Sequence, residues 1–93
     1  MYEIRFSSAS EKYFKKLKET KLKEAYQNAL FKIRHDPYMG QKKQGDLNGI
    51  YGYDVRYMGI NYEIAYAIYE VNEKLIVVLL AGTRENFYDE LKR

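Results

Sequence analysis

The chain has 93 residues, enough for one domain spanning 1–93 and only just enough to bury a core of its own. It has no cysteine, which excludes a disulfide framework, a thiolate metal site and a cysteine nucleophile. The net charge of +3, from 16 Lys plus Arg against 13 Asp plus Glu, is mildly basic and compatible with a nucleic-acid or acidic-protein partner.

The N-terminus alternates, with Tyr2, Ile4 and Phe6 on one face and Glu3 and Arg5 on the other, so it reads as a short half-buried strand. It lacks the basic region and apolar core of a signal peptide. No stretch approaches the ~20 apolar residues of a membrane span. The expectation is a cytoplasmic, soluble protein with no membrane partner. Ser8 and Glu11 have capping-box spacing, so a helix should begin there with Phe14 and Leu17 on its inner side. Near Thr20 the pattern resets. Leu22, Ala25, Tyr26, Ala29, Leu30 and Ile33 then follow helical spacing to a stop before Pro37. The two helices should form a hairpin.

Asp36 to Asn48 reads as a polar loop with Gly40, Gly45, Lys42 and Lys43. From there the period is two. Tyr51, Tyr53, Val55 and Tyr57 face one way, and Gly52, Asp54 and Arg56 the other. Met58 to Asn61 reads as a hairpin turn, Tyr62 to Glu70 as a second strand and Val71 to Lys74 as another turn. Leu75 to Ala81 is apolar on both faces and reads as the central strand. Asn86 to Arg93 suits a short terminal helix. The fold class is α+β: an N-terminal strand, a helical hairpin, a three-stranded antiparallel meander joined by the first strand in one sheet, and a short C-terminal helix. Most of the 11 tyrosines should simply pack.

Reactive side chains concentrate in Gly82-Thr83-Arg84-Glu85-Asn86-Phe87-Tyr88, directly after the apolar strand. A guanidinium held at the end of a rigid strand is suited to a phosphodiester.

Several local patterns occur in order along the chain. After the amphipathic hairpin comes His35-Asp36-Pro37, then Asp46-Leu47-Asn48-Gly49 before a tyrosine-rich strand. Tyr62-Glu63-Ile64-Ala65-Tyr66 follows, and finally Gly82-Thr83-Arg84 with Tyr88 beyond it. Together they resemble the RelE/ParE superfamily of bacterial toxin-antitoxin toxins over nearly the whole chain. The resemblance implies a cytoplasmic toxin neutralised by a cognate antitoxin. RelE-like members cut messenger RNA in the ribosomal A site, using the 2′-hydroxyl as nucleophile and no metal. ParE-like members poison DNA gyrase.

The resemblance also distributes roles. Arg84 matches the strand-end arginine of RelE-like nucleases and would bind phosphate; the plainer reading is an ion pair with Glu85 or Asp89. Tyr88 matches a C-terminal tyrosine that could stack on a base or move a proton, or it packs beside Phe87. Arg56 matches a basic strand position and would contact phosphate, or is a surface arginine. Lys42 and Lys43 would attract RNA, or form a solvated basic loop. Glu63 stands where relatives carry an arginine. It is either a general base facing Arg84 or the cross-strand partner of Arg56. Gly52 and Asp54 stand where RelE has two lysines, so the basic cluster of RelE is not reproduced. His35, the only histidine, reads as a helix C-terminal residue on the dipole. One histidine without cysteines makes a zinc site unexpected, and no cofactor is implied.

The leading expectation is a RelE-like, metal-independent endoribonuclease that acts on ribosome-associated messenger RNA, with ribosome and mRNA as partners. The alternatives are a ParE-like inhibitor of DNA gyrase without nuclease chemistry, and an attenuated member that only binds its antitoxin. In each case the antitoxin should carry an acidic, partly disordered segment that folds across the sheet and the hairpin.

Overall fold

The computed structural model describes residues 1–87 and 91. The elements run β1 (Glu3–Phe6), α1 (Ser8–Lys16), α2 (Thr20–His35), β2 (Gln41–Lys42), β3 (Ile50–Tyr57), β4 (Ile60–Tyr69) and β5 (Leu75–Thr83). Single turns of 3-10 helix occupy Pro37–Met39, Gly45–Leu47 and Arg84–Asn86. Most of the expected terminal helix, including Tyr88, lies outside the described residues. No helix among the described residues is long and apolar enough to cross a membrane.

The strands form one five-stranded sheet in the order β1-β5-β4-β3-β2. β1 is an edge strand parallel to β5, and the other neighbours are antiparallel. The centre of the sheet is therefore β4, not the apolar β5. Tyr62 to Ala67 are all buried, whereas buried and half-buried residues alternate along much of β5. An apolar run on both faces signals an interior strand, and β5 is one, but it does not identify the middle of five. The segment read as a loop contributes the edge strand β2, which is too short to carry a periodic signal.

The β3–β4 turn is tighter than expected. Met58 and Gly59 take positive φ of 52° and 76°, as a two-residue hairpin turn requires, and the strand resumes at Ile60. The N-cap of α1 lies one residue before the expected one. Ser7 is the N-cap, and its hydroxyl accepts from the Ser10 amide at 3.2 Å. Ser7 wins the position because it also ties the helix to the sheet, as described below.

Helix α2 lays Leu22, Tyr26, Ala29 and Ile33 onto one face of the sheet, against Val55, Tyr62, Ile64, Tyr66, Ile76 and Val78. Each such large apolar side chain contributes roughly 1.5–3 kcal/mol through burial. Tyrosines fill much of this layer and keep their polar tips satisfied. The Tyr13 and Tyr26 hydroxyls lie 2.7 Å apart, and Tyr66 donates to the Pro37 carbonyl at 2.6 Å. Burial pushes the Tyr26 and Tyr66 phenols well above the ordinary value.

One irregularity decides which face the end of β5 presents. Tyr66 pairs with Val78 and Ala65 with Leu80, so Leu79 is an additional residue, a β-bulge. Ile76 and Val78 belong to the core before the bulge, and Ala81 belongs to it afterwards. Plain alternation from Ile76 would have put Gly82 and Arg84 on the helix face. With the bulge they fall on the opposite one. The start of α1 clamps this point: Ser7 Oγ donates to the Leu79 carbonyl at 2.7 Å, and Ser10 Oγ to the Val78 carbonyl at 2.8 Å.

Candidate functional site: an arginine held by a buried carboxylate

Glu63 lies between core residues Tyr62 and Ile64, so its side chain points to the face away from the helices. Asp54 of β3 is directly opposite it on one side and Gly82 of β5 on the other. These three positions form a row across the sheet. Charged groups from the β2 side and the β5 side converge on it.

From the β2 side, the backbone amide of Lys43 donates to the Ile50 carbonyl at 2.8 Å. Its side chain then crosses over Gly52 to Glu63. Nζ lies 2.8 Å from Oε2, and the two side chains are 9% and 1% exposed. The crossing needs a glycine: a β-carbon at Gly52 would collide with Glu63 Oε2 and sit 2.8 Å from Lys43 Cε. From the β5 side, Arg84 Nε is 3.6 Å from Glu63 Oε1, and Nη1 is 3.7 Å from Asp54 Oδ2. Neither Glu63 oxygen receives an aligned hydrogen bond from the described residues, so these are ion pairs by distance and charge. A buried carboxylate without such pairing would be strongly disfavoured.

Every expected site residue except Tyr88 has a location in the described structure. Arg84 is at the strand end with its side chain 45% exposed, touching Glu63 and Asp54. Glu63 is behind it and fully buried, so it orients the guanidinium rather than facing an incoming substrate. Its partners are Lys43 and Arg84, not Arg56. Arg56 faces Asn61 in the β3–β4 register and donates to its Oδ1 at 3.2 Å. Lys43, expected on an open basic loop, is drawn into the sheet as the counter-charge of Glu63, while Lys42 next to it is exposed. Tyr88 lies outside the described residues. His35 Nδ1 donates to the Phe31 carbonyl at 2.9 Å, and its ring lies over Phe31, away from the row.

Sequence reasoning treated Gly52 and Asp54 only as departures from a pattern. Their part is structural and electrostatic: one opens the passage for Lys43, the other lies beside Arg84. A signal for the buried site was available. Glu63 shares its face with Ala65 and Ala67, small apolar residues that point to a covered second face. The cluster can hold a phosphate-sized anion at the exposed part of Arg84 and has an exposed carboxylate next to it. Among the described residues its two cations and two carboxylates balance.

Residues 4–92 match the family model described as ParE-like toxin of type II bacterial toxin-antitoxin system. No curated protein matches. Among solved structures, the chain is similar to the toxin-antitoxin complex RelBE2 from Mycobacterium tuberculosis. The TM-score is 0.67 and the identity 23%, over 89% of this chain and 98% of that one. It is also similar to an E. coli RelE toxin mutant in the free state. There the TM-score is 0.75 and the identity 18%, over 98% of this chain and 92% of that one. At these identities the two structures establish a shared fold, and the family model supplies the rest. The chain, built on a bulged five-stranded sheet with a helical hairpin on one face, belongs to the ParE-like toxins of type II toxin-antitoxin systems, within the RelE/ParE superfamily.

Proposed function

We propose that this toxin is a metal-independent endoribonuclease that cuts ribosome-associated messenger RNA and so inhibits translation in the cytoplasm. The observation that carries this reading is Arg84: half-exposed at the end of β5 and held from behind by the buried Glu63. A pre-oriented guanidinium stabilises charge developing on a phosphorane without reorganising during the reaction. Glu63 sets its orientation, with Lys43 as counter-charge. Arg56 and Lys42 supply further cationic contact along the RNA, and Tyr88 would stack on a base or assist proton transfer. The ribosome orients the substrate, which reduces what the protein must supply. The cognate antitoxin is the resident partner, and the acidic segment expected of it complements the net charge of +3.

A second reading has its own support. Among the described residues the ion-pair row is charge-balanced, which weakens its field on a polyanion, and a ParE-like inhibitor of DNA gyrase needs no such field.

Induction of the toxin in cells separates the two. The nuclease reading requires that protein synthesis stop and that transcripts carry cuts at A-site codons. An arrest of DNA synthesis with an SOS response and intact transcripts would establish the gyrase reading instead. Arg84→Ala should abolish the cuts; full retained toxicity removes Arg84 from the site.

A further inference from the structure

We infer that Asp54 is the catalytic base of this site, the carboxylate that takes the proton from the RNA 2′-hydroxyl while Arg84 holds the phosphate. The inference rests on the nuclease reading above and assigns to it the one role that reading leaves open.

Two carboxylates touch Arg84, and their surroundings separate their tasks. Glu63 is 1% exposed and already bridges Lys43 and Arg84. Asp54 is 59% exposed, and its Oδ2 is 3.7 Å from Arg84 Nη1. Of the two, only Asp54 can meet a substrate without the sheet opening. An anion lying on Arg84 Nη1 is within a hydrogen bond or two of Asp54, the reach a base needs. Glu63 engages the Nε side of the guanidinium, while Nη1 turns toward Asp54. His35, the only imidazole, points at its own helix.

Among the described residues, the charged groups around Asp54 come from several elements. Arg84 and Glu63 lie along the row and Arg56 is on its own strand. Lys32 belongs to α2, on the other face of the sheet, and shares with Asp54 the lining of a groove of about 220 Å³ without being its partner. Arg84 is the cation in contact with this exposed carboxylate, and the exposed Arg56 on the same strand gives a neighbouring phosphate somewhere to lie. In the step, the proton of the 2′-hydroxyl passes to the Asp54 carboxylate as O2′ forms its bond to phosphorus. The P–O5′ bond breaks, and the departing 5′-oxygen takes a proton from water. The products are a 2′,3′-cyclic phosphate and a 5′-hydroxyl. Asp54 then returns its proton to solvent.

The test is single-turnover cleavage of mRNA on programmed ribosomes as a function of pH, for the wild-type toxin, Asp54→Asn and Asp54→Glu. The wild-type rate should fall as pH drops through the carboxylate range. Asp54→Asn, the same size and equally exposed, should be slower by roughly 10²–10⁴-fold and lose that acid limb, with its thermal midpoint and antitoxin binding unchanged. Asp54→Glu should recover part of the rate with a displaced limb, which a merely structural aspartate would not produce. Cleavage by Asp54→Asn at the wild-type rate, or an acid limb that persists in it, overturns the inference and leaves the nuclease reading standing. Absence of any cleavage by the wild-type toxin overturns both.

Discussion

Gly52 and Glu63 share one space. The missing side chain on β3 is the channel through which Lys43 reaches the buried carboxylate on β4, and a β-carbon there would overlap Glu63 Oε2. Gly52→Ala should therefore destabilise the protein by about 1–3 kcal/mol, the cost of forcing a packed site apart. Urea denaturation measures this. Combined with Glu63→Ala, the alanine should cost less than it does alone, because the atom it displaces is gone.

The Lys43–Glu63 pair should behave as a buried pair. Lys43→Met alone strands most of a carboxylate and should cost about 3–5 kcal/mol. Replacing both partners, as Lys43→Met with Glu63→Leu, should recover most of that loss while abolishing the orientation of Arg84. Denaturation midpoints for the two single variants and the double one decide the point; additive losses would mean that the two side chains do not depend on each other.

Ser10 is fully buried, and its hydroxyl donates to the Val78 carbonyl beside the Leu79 bulge. Ser10→Ala removes this bond while the carbonyl keeps the Ser7 amide at 2.9 Å, so it should cost about 0.5–1.5 kcal/mol. In a domain of this size the thermal midpoint should drop by roughly 4–8 °C per kcal/mol. If the clamp maintains the aim of Arg84, toxin activity should fall in the same variant at temperatures where it is still folded.

Arg84→Lys keeps the charge and loses the planar fork that Glu63 and Asp54 engage at different nitrogens. Activity should fall about 10²-fold or more, close to the alanine variant. Near wild-type toxicity in Arg84→Lys would mean that the site uses only a point charge.

At the far end of the sheet, Glu70 accepts from the Tyr2 hydroxyl at 2.8 Å and from the Tyr38 hydroxyl. The Tyr38 bond, then the Tyr2 bond, holds the Glu70 carboxyl below its ordinary value, and the same carboxylate pushes Tyr38 up to about 12. A lowered acid pKa contributes stability that is complete above the unfolded value and is lost as pH falls through the folded one. A raised phenol pKa contributes stability that is present below the ordinary value of 10.0 and is lost as pH rises through about 12. Glu70→Gln should flatten both limbs of a stability–pH curve. Equal slopes in the wild-type and variant proteins would rule the clamp out.

The helices were legible because Leu22, Tyr26, Ala29 and Ile33 repeat at the helical period, and Pro37 closes the second one. The meander was legible because Tyr51 to Tyr57 and Tyr62 to Ile68 alternate. The edge strand β2 was not, since two residues carry no period. The cap of α1 moved from Ser8 to Ser7 because Ser7 makes a contact with Leu79, 72 residues away in sequence. Glu63 drew attention as an anomaly, but its partners came from the residues that directly follow β2 and β5, on either side of it in the sheet.

The sequence by itself determined the α+β class and the order of the helices and long strands, because periodicity and turn chemistry act between residues a few positions apart, and its ordered motifs carried the resemblance to the superfamily. Which charges meet was decided only by the tertiary structure. Arg84 faces Glu63 and Asp54 because one bulge shifts the alternation of β5, and Lys43 is buried because Gly52 leaves room across a neighbouring strand. Both effects depend on strand register, which links residues far apart in the chain and leaves no local pattern to read.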